Sequence, residues 1–506
     1  MKNSAPPALL PALFAGVALA LGLGSFEGSA VQGILPYIAG GLATSSDHAL
    51  WTLTYYIVHW SLGITLMPWT TARFGARRVF QGAIVIAATG TIISALTHNL
   101  WIMLFSRAME GIGAGLLVPL SQTLFLRHSA PARHGMVTML WSNAMLLPFF
   151  VGPAIGGWLA TDLNFRFIFW LSLPLWGLAW FLGRMGIPAG GEQRDMPPFD
   201  LLGFGLLYAG LMALQVTLDQ GEQYGWWQAS FILHMTLAAL VFLLLFAWRE
   251  SRAGYPLLQF HFLRRRNYWL GLLLLCLGWS LFMGWATELP LWAEESLGFN
   301  GYWGGVLLLP IGLAAVPVST LMDRLQGLFG LRRLATLCFL LFAAAYGSSY
   351  FSPQSGLDDL FWPMLLLGLG LGMLFVPLTM IILSGIPAED IPKAATTSNF
   401  IRVFSANIGV SLISVYAVRG GALATSAFRG HLLSYDGNPA LSPQTLAKLV
   451  AVQANTLSID NLLRLSMWLC LLAALLAYAF LIPPRAIATP SSPRSYVEEV
   501  EEEVSP

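Results

Sequence analysis

Gly24-Ser25-Phe26-Glu27-Gly28-Ser29-Ala30 sets an acid inside an apolar segment that runs from about Ala8 to Ala43. A helix needs about 20 apolar residues to cross a bilayer, so this segment is long enough to span and Glu27 belongs inside the membrane. An ionised side chain at that depth costs about 2.5–3.5 kcal/mol on insertion scales, which leaves two readings. Glu27 is a proton or substrate site facing a wet cavity, or it is a structural acid paired with an arginine of a neighbouring helix. Lys2 ahead of this run imitates a secretory signal. The run outlasts the roughly 15 residues of a signal's apolar core, so a retained helix is expected.

The rest of the chain repeats the pattern. Of 506 residues, 56% are hydrophobic and 10% charged, against about 25% charged in soluble domains. An all-α polytopic membrane protein follows. The formal net charge is +1 and the basic residues sit at the ends of apolar runs, so nucleic acid is not an expected partner, whereas membrane lipid is. Cys276, Cys338 and Cys470 lie within apolar runs and read as packing residues. His59 and His234 lack a second ligand at metal spacing, so no metal site is expected. The chain has no phosphate-binding loop, which argues against ATP-driven transport, and no nucleophile set stands out. It reads as a transporter rather than an enzyme, with no cofactor beyond a proton as coupling ion.

Fourteen runs are long enough to span, from those centred near Leu19 and Trp60 to those near Ser405 and Leu472. Alternate loops carry the basic residues: Arg73, Arg77 and Arg78, then Arg127 and Arg133, Arg184, Arg249, Arg264, Arg332 and Arg333, and Lys393. The positive-inside rule puts these loops and both termini in the cytoplasm of a cell whose inner membrane holds the chain. The exception is a long outer loop expected over 419–460, with Arg419, Arg429 and Lys448. The tail over 484–506, with Glu498, Glu499 and Glu501 to Glu503, reads as a disordered acidic end on the cytoplasmic side. The turn Thr71-Ala72-Arg73-Phe74-Gly75-Ala76-Arg77-Arg78 after the second run corresponds to Asp323-Arg324 and Arg332-Arg333 after the tenth. Two six-helix halves, 1–186 and 255–483, with two extra central helices in 187–254, would put these turns in equivalent places, as in transporters built from repeats.

Gly152-Pro153-Ala154-Ile155-Gly156-Gly157 in the fifth run has glycines that let backbones approach and a proline that permits a kink. It also matches the antiporter motif of the major facilitator superfamily. Arg107-Ala108-Met109-Glu110-Gly111 resembles that superfamily's fourth-helix motif, and Arg73, Gly75, Arg77 and Arg78 resemble its cytoplasmic turn motif. Phe165-Arg166-Phe167, Leu218-Asp219-Gln220-Gly221 with Trp226-Trp227, and Ser398-Asn399-Phe400-Ile401-Arg402 follow in register. The chain therefore resembles the fourteen-helix drug/proton antiporter family, of the EmrB/QacA type. The resemblance implies a major facilitator fold and proton-driven export of amphipathic, drug-like toxic compounds, with a periplasmic adaptor and outer-membrane channel as partners. Two departures bear on the site. Glu27 stands where the family usually has Asp, and Glu110 where it usually has Gln, while Pro68 and Ala72 replace the glycine and acid of the turn motif.

At 1.5 Å per residue, Glu110 and Arg107 lie roughly 13 and 9 Å below the outer end of the fourth run, and Glu27 roughly 27 Å above the start of the first. The three can share a layer, with Arg107 paired to either acid. Glu27 is expected to carry the coupling proton and Glu110 to assist. Glu288, Asn143, Gln122, Asn399 and Arg402 are candidate cavity residues. Each has a plainer reading: Glu288 as an interfacial acid, the amides as helix-to-helix hydrogen bonds, and Arg402 as a snorkelling side chain. Asp219 is expected to cap or pair locally at an outer turn. Two other functions stay open, a dedicated exporter of one metabolite such as a siderophore or antibiotic, and a non-transporting receptor or scaffold.

Overall fold

The computed structural model of the chain describes residues 9–130, 133–190, 198–254, 256–387, 390–432 and 442–482. The expected acidic tail over 484–506 lies outside them. Among the described residues the chain is helical, with no strand. The helices are α1 (Leu10–Ala30), α2 (Leu35–Gly41), α3 (Ser46–Phe74), α4 (Ala76–Leu96), α5 (Leu100–Arg127), α6 (His134–Asp162), α7 (Phe167–Gly186), α8 (Leu201–Gln220) and α9 (Ser230–Glu250). They continue as α10 (Arg266–Ser296), α11 (Gly301–Val306), α12 (Leu309–Thr320), α13 (Met322–Phe329), α14 (Leu331–Ser348), α15 (Leu357–Gly372), α16 (Phe375–Leu383), α17 (Ile391–Leu432) and α18 (Pro443–Phe480). A helix closes its backbone hydrogen bonds within itself, which is why apolar runs of this length take that form in lipid.

Among the described residues thirteen stretches are long and apolar enough to cross a membrane, against the fourteen runs read from the sequence. The run about Trp60 is the one outside this set. It forms α3, rich in Thr, Ser and His, and it is buried against α5 and α17. Its hydroxyls are satisfied by the preceding turn, as where Ser61 Oγ donates to the Val58 carbonyl at 2.6 Å and Thr65 Oγ1 to Leu62 at 2.7 Å.

Several runs expected to be continuous are broken. The first ends at Ala30 and resumes as α2, whose first turn holds Pro36, a residue that fits a helix start because it has no N–H to leave unpaired. The tenth and twelfth divide into α11/α12 and α15/α16. The outer loop expected over 419–460 is mostly helix instead: α17 continues to Leu432 and α18 begins at Pro443, capped by Ser442. At 42 residues α17 is about 63 Å long, twice the roughly 30 Å hydrocarbon core, so its second half extends beyond it alongside α18. Gly420 and Gly421 let the two helices touch there, and Ser458 Oγ donates to the Ala417 carbonyl at 2.8 Å.

The repeated turn is visible in the backbone. Gly75 joins α3 to α4 at φ 82°, ψ 151°, and Gly330 joins α13 to α14 at φ 75°, ψ 153°. A positive φ of this size favours glycine, so both turns are built on the same device. In one set of helices α1 packs on α6 and α7, and α5 on α3 and α4. In the other, α10 packs on α17, α18 on α14 and α17, and α15 on α12 and α14. The α8–α9 pair leans on α3 and α17 through α8. The two sets meet where α6 contacts α11 and α12, and where α17 contacts α3.

Candidate functional site

Helix α1 brings Glu27 to the centre of the first set, 1% exposed. Its carboxylate accepts from Thr91 Oγ1 of α4 at 3.1 and 3.3 Å, and from Trp176 Nε1 of α7 at 3.0 Å. Arg107 on α5, fully buried, donates Nη2 to the Glu27 main-chain oxygen at 3.1 Å and Nε to the Thr52 carbonyl at 3.1 Å. Its remaining arm, Nη1, forms a short ion pair with Glu110 Oε2 one turn along the same helix. Glu110 Oε1 accepts from Ser94 Oγ at 2.6 Å, and Ser94 in turn contacts Ser106 at 2.7 Å. The guanidinium lies 4.3 Å over the Tyr56 ring, whose hydroxyl donates to the Gly24 carbonyl at 2.5 Å. Close helix contact makes this possible: a Cβ on Gly90 would stand 2.8 Å from Glu110 Cγ.

The expected layer of Glu27, Arg107 and Glu110 therefore exists, with a specific pairing. Arg107 gives its charge to Glu110, while the Glu27 carboxylate has neutral donors and no cation at ion-pair distance among the described residues. The Glu27 carboxylate also points into the first helix set. Its neighbour Ser25 is the residue of α1 that lines the central cavity between the sets.

Along α6, Asn143 hydrogen-bonds Ser319 at 2.8 Å and Thr320 at 2.9 Å of α12, Phe149 lines that cavity, and the Gly152–Gly157 motif follows. Pro153 lies against Gly305 and Gly157 against Gly301 at backbone contact, while a Cβ on Gly156 would stand 2.7 Å from the Ala30 carbonyl. The motif thus joins α6 to α1 on one side and to the opposite set on the other. Tyr37 reinforces this end through Thr161 at 3.1 Å and the Gly301 amide at 3.1 Å.

Other expected residues are scattered. Arg77 and Arg78 line a cleft of about 290 Å³ with Gly75 and Arg184 at the basic end, and Arg73 closes α3 beside it. Arg402 lines the central cavity, and Asn399 Oδ1 lies 3.5 Å from its Nη2. Glu288 lines a separate cavity of about 190 Å³ with Asp47 and Glu295, at the end opposite the basic turns. Gln122 is half-buried on α5, away from these groups.

Asp219 is the residue whose setting was least legible. Instead of a local cap it accepts from Gln215 Nε2 of α8 at 2.7 Å, Thr54 Oγ1 of α3 at 2.8 Å and Ser411 Oγ of α17 at 2.8 Å, tying three helices. Asn407 Nδ2 adds a bond from α17 to the Thr54 carbonyl at 3.2 Å. The i, i+4 spacing of Gln215 and Asp219 was the available signal. The roles of Thr91, Trp176 and Ser94 carried none.

Comparison with known proteins agrees with this architecture. The family model described as Major Facilitator Superfamily matches residues 17–200 and again 201–410. The fatty acid resistance protein FarB of Neisseria gonorrhoeae is 29% identical over 460 residues, covering 90% of this chain and 91% of that protein. The multidrug export protein EmrB of Escherichia coli K12 is 29% identical over 381 residues, covering 75% of this chain and 74% of its own. Among solved structures, a POT family transporter in complex with a thioalcohol-conjugated peptide superposes with a TM-score of 0.65 at 14% identity, covering 92% of this chain and 95% of its own. A bacterial homologue of the lysosomal transporter Spinster, inward-facing and unoccupied, gives 0.61 at 12%, covering 94% and 98%. A membrane-spanning chain with two helix sets meeting at a Gly-Pro-Gly-Gly seam, and matched by that family model over both, belongs to the Major Facilitator Superfamily.

Proposed function

We propose that the chain exports amphipathic toxic compounds across the inner membrane in exchange for protons, both termini lying in the cytoplasm. Residues 1–186 and 255–483 act as two bodies in alternating access, 187–254 links them, and α3 completes fourteen crossings. The observation that carries this reading is the setting of Glu27, an acid sealed among α1, α4 and α7 while Arg107 is committed to Glu110. The charge on such a group depends on whether water reaches it. Motion that opens the helix set to one side and then the other therefore couples to proton uptake outside and release to the cytoplasm, with Glu110 assisting.

The relatives are named for fatty acid resistance and multidrug export; a fatty acid has an apolar body, which suits a cavity walled by Phe149, Trp279 and Met283. The extension of α17 and α18 beyond the membrane is the proposed contact for a periplasmic adaptor and, through it, an outer-membrane channel. In everted vesicles carrying the full chain, a pH gradient should drive uptake of an amphipathic dye. The Glu27→Gln variant should insert normally and lose that uptake. Uptake unaffected by collapse of the gradient contradicts the reading.

A further inference from the structure

Arg402 lies on α17 roughly 16 Å from the start of that helix and is 5% exposed. A buried guanidinium normally has a carboxylate beside it, because an unpaired charge is costly away from water. Arg402 has none at ion-pair distance among the described residues. Its one side-chain hydrogen bond is the long 3.5 Å approach to Asn399; the Cys276 thiol is a neutral polar neighbour, and the charge otherwise rests on the faces of Phe375 at 5.2 Å and Trp279 at 5.5 Å. Ring faces attract a cation more weakly than an anionic acceptor does, and they leave most of the N–H fork unused.

Two residues of the same lining carry donors without an acceptor. Ser25 Oγ on α1 and Trp60 Nε1 on α3 are buried and unbonded, and both residues line the space that Arg402 lines. Three helices, two from one set and one from the other, thus bring residues with donor groups to the wall of one chamber whose remaining lining is apolar. The chamber lies between the two seams along α6, the Asn143 bonds to α12 and the Gly157 contact with α11. In this conformation it measures about 20 Å³, room for about one water, so an occupant enters only as the helix sets part.

We propose that this chamber is the binding site for amphipathic organic anions, with Arg402 pairing the anionic head, Ser25 and Trp60 donating to it, and Phe149, Trp279 and Met283 holding the apolar tail. The inference rests on the export reading for the chamber's place in the transport path, but the charge preference itself does not need transport. A planar guanidinium suits a carboxylate in particular, which it holds through two parallel bonds.

Decanoate and decyltrimethylammonium, which share a tail and differ in head charge, test this by equilibrium binding to the full chain in lipid nanodiscs, with no pH gradient. The wild type should bind decanoate at least about tenfold more tightly, the effect of one charge-assisted hydrogen-bonded pair. Arg402→Met should erase the preference and Arg402→Lys should keep most of it. Equal binding of the two probes by the wild type, or a preference retained by Arg402→Met, overturns the proposal. The wild-type comparison decides the matter even if Arg402→Met does not fold. Selective anion binding without gradient-driven movement contradicts the export reading alone, whereas gradient-driven export of decyltrimethylammonium with decanoate ignored contradicts this inference alone.

Discussion

Trp176 Nε1 donates to Glu27 Oε1 at 3.0 Å, linking α7 to the acid on α1 across a fully buried contact. Removing that donor leaves the Glu27 carboxyl with hydroxyl donors only, Thr91 and Ser172. Trp176→Phe keeps the ring and should cost about 1 kcal/mol of stability, while pH-gradient-driven uptake in vesicles falls several-fold and gradient-free substrate binding stays near wild type. An equal loss in both assays would show that Trp176 serves packing only.

Arg107 and Glu110 make a buried pair, so truncating one partner leaves a charge behind. Arg107→Gln should destabilise the purified protein by about 3–5 kcal/mol, and Arg107→Gln with Glu110→Gln should recover part of the loss. Thermal unfolding of both single variants and the double variant supplies the cycle. Additive losses contradict the pairing.

Gly157 meets the Gly301 backbone at the seam of the two helix sets. Gly157→Ala should overpack it, at about 1–3 kcal/mol, and favour conformations opened at the end away from the basic turns. A cysteine introduced at Leu50, which lines the cavity there, should react faster with maleimide in the Gly157→Ala background. Unchanged reactivity shows that the seam yields without opening.

Asp219 gathers donors from α3, α8 and α17. Asp219→Ala should leave Thr54, Gln215 and Ser411 without their acceptor and cost about 1–3 kcal/mol, whereas Asp219→Asn should retain much of the stability. If Asp219→Ala unfolds at the wild-type temperature, the three-helix tie contributes nothing.

Asp200, which caps α8 through the Gly203 amide at 2.9 Å, also binds Arg249 of α9 at 2.7 and 2.9 Å. The bonds from Arg249 hold its carboxyl below the ordinary value of 3.8. A carboxyl held low in the folded protein stabilises it fully above the unfolded value, and that contribution is lost as pH falls through the lower folded value. The stability gap between wild type and Asp200→Asn should therefore be constant near neutral pH and close as pH drops below 3.8. A gap that persists unchanged in acid shows that the ion pair is not its source.

The sequence revealed the helical membrane fold, the repeated turn and the layer shared by Glu27, Arg107 and Glu110, because each follows from run length, local spacing or rise per residue. It did not reveal which acid Arg107 pairs, since helix rotation decides that and the rotation is fixed by glycine contacts between helices distant in sequence. The same limit hid Asp219, whose partners Thr54 and Ser411 are far from it along the chain. The helical form of the outer segment was hidden for a different reason: α17 continues past Arg419 on a surface that α18, far along the chain, supplies.

Glu27 is the proposed carrier of the exchanged proton. Substrate added to the purified full chain in weakly buffered solution, across a series of pH values, should release protons from the wild type. Release should be lost in Glu27→Gln and reduced in Glu110→Gln. Undiminished release from Glu27→Gln, at the same substrate occupancy, contradicts the assignment.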